Sequence, residues 1–389
     1  MMRALRLIAD WEPRADYRPS DYEEETHRTS SGSKVWRNPR LELTHVPDPA
    51  PSEYDVLIEV ANCGICGSDM HMYEASADGY MLYPGLTRFP NIIGHEFAGR
   101  VVEVGQRVRS LRRGDIVTVE EIQWCGRCTS CRRGYFNHCD NLEELGFTTP
   151  GAMAQYIAVD EKYCWKLDPI AERSGSEAEA LRLGALVEPT SVSYHAMFAR
   201  NQRYMPGNYC VVFGAGPIGL AAEALALAAG CALVVVADPS ESRRRTAATI
   251  GAHQVLDPSG LDIDQALLEL SHGRGFDLIV EAAGAPQHTI APLRRSLNVD
   301  AAICHIGRSE RPTPLPLEDY QLRRAQVYGA LGHSGQGAFQ NVIRLLASGQ
   351  LNLRPMISAA VPLQEAPAAF KRLESREEAK ILIQPNSVQ

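Results

Sequence analysis

A run of strand-forming residues, Val211-Val212-Phe213, flows into Gly214-Ala215-Gly216-Pro217-Ile218-Gly219 and then into an alanine-rich stretch reaching Ala229. This G-x-G-x-x-G between a strand and a helix constrains the fold more than any other segment. Glycines there permit a tight turn and let backbone approach a pyrophosphate, while the helix N-terminus favours its negative charge. Alone, the pattern is weak. Its context strengthens it: Gly230 ends the helix, Ala232 to Ala237 reads as a second strand, and Asp238 closes that strand 19 residues after Gly219. A carboxylate in that place accepts both ribose hydroxyls of NAD and repels a 2′-phosphate. Arg243, Arg244 and Arg245 are either a phosphate site serving NADP or a solvated helix face; the reading adopted is NAD. Residues 219 to 237 carry Glu223 as their one charge, close to the length of a membrane span. Gly230 and the switch to Val234-Val235-Val236 divide them instead into a buried helix and a buried parallel strand.

Two further sets of residues point to metal. Cys125, Cys128, Cys131 and Cys139 are spaced C-x2-C-x2-C-x7-C, so one loop can wrap four sulfurs around zinc with no coordination position left open. Such a site is structural; two disulfides or an iron-sulfur cluster are the rival readings. The second set joins Cys66, in Cys66-Gly67-Ser68-Asp69-Met70-His71, with His95 and Glu96 and with Glu188 before Pro189. A thiolate, an imidazole and carboxylates suit a zinc that keeps one position for water or substrate. Glu96 is either a ligand or a carboxylate behind the ligands. Asp69 either accepts from the His95 imidazole or caps a turn.

These segments, with the glycine-punctuated run from Gly94 to Gly105, Gly114-Asp115 and the cysteine lobe, resemble the zinc-dependent medium-chain alcohol dehydrogenases over nearly the whole chain. Glu188 before proline is similar to the sorbitol-dehydrogenase-like branch. Gly32 to Arg37, Gly79 to Leu86, Asn137-His138-Cys139 with Glu144 to Phe147, Leu186 to Val192 and Gly332-His333-Ser334-Gly335 resemble its subgroup acting on scyllo-inosose. The resemblance implies an α/β plus β chain. A GroES-like, β-rich catalytic domain is expected at 1–189 and 335–389, and a Rossmann doubly wound parallel-sheet domain at 190–334.

It also implies roles. Zinc acidifies a substrate hydroxyl, hydride passes from that carbon to nicotinamide, and Ser68 and His71 relay the proton towards solvent; His71 as a solvent-facing loop residue is the bland alternative. Arg243 falls beside the adenosine ribose, and Thr190, Ile306, Gly307, Arg308, Leu331 and Gly332 border the nicotinamide half. Lys34, Glu121 and His333 are the substrate-contact candidates, with Arg308 as a further supplier of polar groups. Glu120 and Trp124 either line the cleft or are structural. The expected activity is NAD-linked oxidation of a secondary hydroxyl of a cyclitol, scyllo-inosose or a related inositol or aminocyclitol. An open-chain polyol, threonine or butanediol is the alternative substrate, and a catalytically silent NAD- and zinc-binding protein the alternative of another class.

Composition sets the outer limits. The chain's 389 residues suffice for two cored domains, and its net charge of −8 gives no general attraction for phosphate backbones or anionic lipid. The expected partners are a small polyol or cyclitol and further copies of the chain, as a homodimer or homotetramer, with no nucleic acid or membrane. The N-terminal ten residues have too short an apolar stretch for a secretory signal, which with zinc-type cysteine spacing points to the cytoplasm. Cys63, Cys164, Cys210, Cys231 and Cys304 read as buried structural thiols. Residues 10 to 40, rich in Pro, Arg, Asp and Glu, read as a solvated surface loop interrupting a β-hairpin, with a lid or oligomer arm as the alternative.

Overall fold

The computed structural model describes residues 1–201, 204–309 and 312–386. They fall into two compact units. The first comprises Met1–Glu188, Ala359–Ser375 and the chain from Lys380 onward; the second is Pro189–Ser358 with Arg376–Ala379. The stretch 335–358, read with the catalytic domain from the sequence, thus lies in the second unit. Its helix Ala338–Ser348 buries Phe339, Val342, Ile343 and Leu346, an apolar face that sequence alone assigns to neither domain.

The first unit is built on antiparallel strands paired in the order Cys164–Lys166, Ile116–Val119, Glu96–Val104, Asp55–Gly64 and Lys380–Gln384, with Tyr156–Asp160 also on Asp55–Gly64. Alternation decides the inner face: Val56, Ile58 and Val60 enter a core with Phe97, Val101, Ile381 and Ile383. Met2–Trp11 forms a long hairpin with Trp36–Val46, in a register that sets Leu5 opposite Leu43 and Trp11 opposite Trp36.

The segment between those strands lies at the surface, as its composition suggests, but it is ordered rather than an irregular loop. Ser20 caps the helix Asp21–Thr26 in a capping box with Glu23. The Glu23 carboxylate also accepts from the hydroxyls of Tyr17 at 2.8 Å and Thr29 at 2.6 Å, so one acid ties the helix to the chain on both sides of it. Trp11 stacks on His27 at 4.8 Å and meets Trp36 edge-on at 5.0 Å, and Trp36 meets Phe89 at 5.2 Å. A composition that reads as solvated hides this aromatic anchor, whose members are far apart in sequence.

The second unit holds a six-stranded parallel sheet in the order Gln254–Leu256, Leu233–Ala237, Tyr209–Phe213, Phe276–Glu281, Leu297–His305, Gln326–Gly329. Its central strands are runs of Val, Ile and Ala buried on both faces, as helix-covered parallel sheets require. The helix after the glycine turn spans Pro217–Ala228. No helix among the described residues is long and apolar enough to cross a membrane.

Candidate active site

In the first unit, Cys66 stands immediately before the helix Gly67–Tyr73, where its amide donates to Asp69 Oδ2 at 2.9 Å. His95 and Glu96 lead into the strand Glu96–Val104, and the His95 ring packs against Phe147 at 4.7 Å. One donor atom from each of Cys66, His95 and Glu96 lies within 4.8 Å of the others. Ser68 Oγ is 3.4 Å from His95 Nε2, and Asp69 Oδ1 lies 3.7 Å from His95 Nδ1. Asp69 therefore both caps the turn and faces the imidazole, and the two sequence readings of it are compatible.

These residues fit a cation better than they fit each other. Asp69 Oδ1, His95 Nδ1 and Glu96 Oε1 are buried without hydrogen-bond partners among the described residues, a costly arrangement that a bound cation and a small reorientation would relieve. Burial pushes the Cys66 thiol well up, and the Glu96 charge adds to it. Since a metal ligand must be the thiolate, metal binding here carries a proton release. Lys380, fully buried, donates to Glu96 and, at 2.9 Å, to Ile65 O, so it offsets part of the carboxylate charge. Sequence reasoning missed Lys380; a lysine opening the apolar strand Ile381-Leu382-Ile383 was its only signal.

Glu188 lies outside that mutual group of three. Its carboxylate sits within 4.8 Å of that of Glu121, and burial pushes both carboxyls well up, each further raised by a neighbouring carboxylate. Glu188 still acts electrostatically on Cys66. Glu120 accepts from Trp165 Nε1 at 2.8 Å, and Trp124 stacks on Phe136 and meets Tyr163 edge-on, which favours a structural role for both. His71 is exposed and Ser68 half-buried. Lys34 is half-exposed and ion-paired with Asp16 at 3.2 Å.

The four cysteines of the loop also converge, with their sulfurs all within 4.8 Å. Cys125 and Cys139 Sγ each accept a backbone amide, at 3.4 Å from Cys128 and 3.3 Å from Cys125; the Cys131 amide reaches Cys128 Sγ at 3.4 Å. Amides aimed at sulfur stabilise thiolates: those of Arg127 and Cys128 pull the Cys125 thiol down to about 6. All ten cysteines are free, so this cluster has the donor set and closure of a structural zinc site and no disulfide.

In the second unit the glycine turn is tightly specified. A Cβ on Gly219 would lie 1.7 Å from Gly214 O, so helix and turn approach only because that residue is glycine. Asp238 Oδ2 accepts from the Ala215 amide at 2.7 Å and Oδ1 from Ser240 at 2.8 Å, leaving each oxygen a further acceptor site. Arg243 is largely buried, 3.9 Å from where a Gly216 Cβ would stand, and its Nε has no partner among the described residues. Arg244 instead ties Asp238 O, Pro239 O and Asp257 together, and the exposed Arg245 pairs with Glu241, so the three side chains go to separate partners. The amides of Ile306 and Gly307 both donate to Glu281 O at 2.9 Å. Arg308 is exposed, Leu331 is half-exposed, and Thr190 and His333 are fully buried. His333 packs edge-on to Phe339, with Nδ1 3.4 Å from Ser334 Oγ.

A β-rich unit with a three-donor metal centre and a four-cysteine loop, in a chain that also carries a nucleotide-type parallel sheet, defines a zinc-dependent oxidoreductase. Residues 52–169 match the family described as alcohol dehydrogenase GroES-like domain, and residues 217–348 match zinc-binding dehydrogenase. The chain belongs to the zinc-dependent medium-chain dehydrogenases, which use zinc and a nicotinamide cofactor. It is 42% identical to scyllo-inosose 3-dehydrogenase of Thermotoga maritima over 96% of this chain and 97% of that protein. To L-threonine 3-dehydrogenase of Pyrococcus abyssi it is 32% identical over 82% of this chain and 87% of that protein. A Thermotoga maritima structure assigned as an alcohol dehydrogenase superposes with TM-score 0.93 at 40% identity, covering 99% of this chain and 100% of that one.

Proposed function

We propose that this enzyme oxidises a secondary hydroxyl of a cyclitol, scyllo-inosose or a closely related inositol or aminocyclitol, with NAD. The observation that carries the substrate is the 42% identity to a scyllo-inosose 3-dehydrogenase along 96% of the chain, ten points above the threonine dehydrogenase. A ring bearing many hydroxyls needs matching polar groups in its pocket, since each unmatched buried group costs about 1 to 3 kcal/mol. The buried Glu188 carboxyl, which acts on Cys66, and the Glu121 carboxyl within 4.8 Å of it supply such groups.

In this reading Cys66, His95 and Glu96 hold the catalytic zinc, with Glu188 as the adjacent carboxylate, and Cys125, Cys128, Cys131 and Cys139 hold the structural one. When bound, zinc polarises the substrate oxygen and NAD accepts the hydride from its carbon. The protein's part is to bind, orient and move the proton. Ser68, beside His95, takes the hydroxyl proton, and exposed His71 passes it to water. Asp238 accepts the adenosine ribose hydroxyls and disfavours a 2′-phosphate, so NAD is preferred to NADP.

Two broader features belong to the same reading. Leu317 at 73% exposed, Leu322 at 76% and Leu331 at 50% flank in sequence the strand Gln326–Gly329, which ends the sheet among the described residues; exposed leucines near a sheet edge support a homodimer or homotetramer. Ten free cysteines suit a reducing cytoplasm.

The test is the rate of NAD reduction with scyllo-inosose, myo-inositol, scyllo-inosamine, sorbitol, L-threonine and 2,3-butanediol. A cyclitol is expected to lead. Turnover of sorbitol, threonine or butanediol with no response to any cyclitol would leave the family standing and remove the substrate.

A further inference from the structure

Glu281 ends its strand with a carboxylate 0% exposed to solvent. Oε1 accepts from the amides of Ala283 and Ala285, both at 3.2 Å, and from Thr289 Oγ1 at 3.3 Å. Oε2 faces His305 Nδ1 at 3.1 Å. The approach is built in: a Cβ on Gly307 would lie 2.7 Å from Glu281 Oε2 and 2.3 Å from the Gly284 amide. A carboxylate already committed as an acceptor fixes the proton on Nδ1 of the imidazole, so Nε2 presents a lone pair. The His305 side chain is 33% exposed, and Nε2 has no partner among the described residues.

The register locates this lone pair. Phe213, which precedes the glycine turn, is level with Glu281; Glu281 is level with His305, and His305 with Gly329. All four stand at the carboxyl ends of parallel strands, where open sheets of this type receive a dinucleotide. Asp238, the ribose acceptor of the adenosine half, follows the strand on one side of Tyr209–Phe213, whereas His305 lies two strands away on the other. With strands about 4.8 Å apart, that displacement carries His305 to the half of the dinucleotide away from adenosine. A neutral imidazole nitrogen offers nothing to a pyrophosphate oxygen but accepts from a hydroxyl.

We propose that His305, oriented by Glu281, is a positioning residue for the nicotinamide half of the cofactor, with Nε2 accepting a hydrogen bond from a ribose hydroxyl of that half. The inference rests on the dinucleotide reading and is independent of the substrate. Fluorescence titration of the zinc-loaded protein with NADH, beside calorimetric titration with ADP as the adenosine-half control, tests it. His305→Ala is expected to weaken NADH binding about tenfold and to leave ADP within about twofold. His305→Gln, whose side-chain oxygen can still accept, should restore NADH to within about threefold of wild type, and it also serves should the alanine variant not fold. Unchanged NADH affinity in both variants would overturn the proposal. Equal losses for NADH and ADP would overturn it too, since they would mark His305 as structural. A wild type that binds neither nucleotide would overturn the dinucleotide reading itself.

Discussion

Glu223 lies within the helix Pro217–Ala228 that follows the glycine turn, 0% exposed, with neither carboxylate oxygen partnered among the described residues. Burial pushes its carboxyl from the ordinary 4.5 up to about 9; the nearby Ala252 amide, which donates to Ala247 O at 3.2 Å rather than to the carboxylate, offsets only part of that rise. The unfolded chain ionises near 4.5 and the folded chain near 9, so folding binds a proton between those values. The resulting cost is absent below pH 4.5, grows through the window and levels off above about pH 9. At pH 7 it is about 3 kcal/mol, and at its ceiling about 6 kcal/mol, both upper figures for a group that water can reach by local opening. Glu223→Gln keeps the size and the unpartnered polar atoms but removes the ionisation. Thermal midpoints of wild type and variant, compared from pH 5 to pH 9, should coincide near pH 5. They should then diverge in the variant's favour by about 5 to 10 °C at pH 7, at the sensitivity expected for a unit of this size. A variant whose advantage does not grow with pH, or that is less stable throughout, would refute the account of a neutral buried acid.

Three further outcomes follow from the same geometry. Cys128→Ala should lose one zinc and cut the yield of folded protein, measured by elemental analysis and soluble expression. Asp238→Asn should raise the Michaelis constant for NAD at least about tenfold and narrow the preference over NADP, because it lowers the repulsion of a 2′-phosphate and loosens the Ala215 and Ser240 amides; equal use of both cofactors by wild type would contradict it. Partial burial pushes the Glu23 carboxyl up, but the Ser20 amide and the Thr29, Tyr17 and Ser20 hydroxyls outweigh it and hold the group down to about 2. Its stabilisation is therefore present above pH 4.5 and is lost as pH falls towards 2, so Glu23→Gln should speed amide exchange in residues 12–35 at pH 7 by the equivalent of about 1 to 2 kcal/mol, with the difference shrinking below pH 4.5.

The parts legible in the sequence were those whose chemistry is carried by neighbours along the chain. Val211 to Gly219 with Asp238 announces the strand, turn and helix and the acid that follows the second strand, because every member lies within one β-α-β unit. The cysteine loop is likewise local: its spacing brings four sulfurs together, and the structure adds that all four are free thiols. What escaped was long-range. Lys380 reaches Glu96 across 284 positions, and nothing near either residue announces the other. The Glu281–His305 pair depends on strand register, which periodicity does not supply. The exposure of residues 10 to 40 was legible from composition, but not their order, because Glu23 and Trp11 spend polar and aromatic groups on partners that composition does not reveal. Glu96 and Glu188, both left open as donors, are separated by position: Glu96 joins Cys66 and His95, and Glu188 joins Glu121.

The proposed chemistry turns on a catalytic metal held by Cys66, His95 and Glu96, separate from a structural one held by the four-cysteine loop. Zinc content per chain, measured by elemental analysis on folded wild type and Cys66→Ala alongside NAD reduction, tests it most directly. The expected result is about two zincs in wild type, against about one in a folded Cys66→Ala protein that has lost nearly all turnover. A fully active wild type with a single zinc, or a Cys66→Ala protein that retains both zincs and its activity, would contradict it.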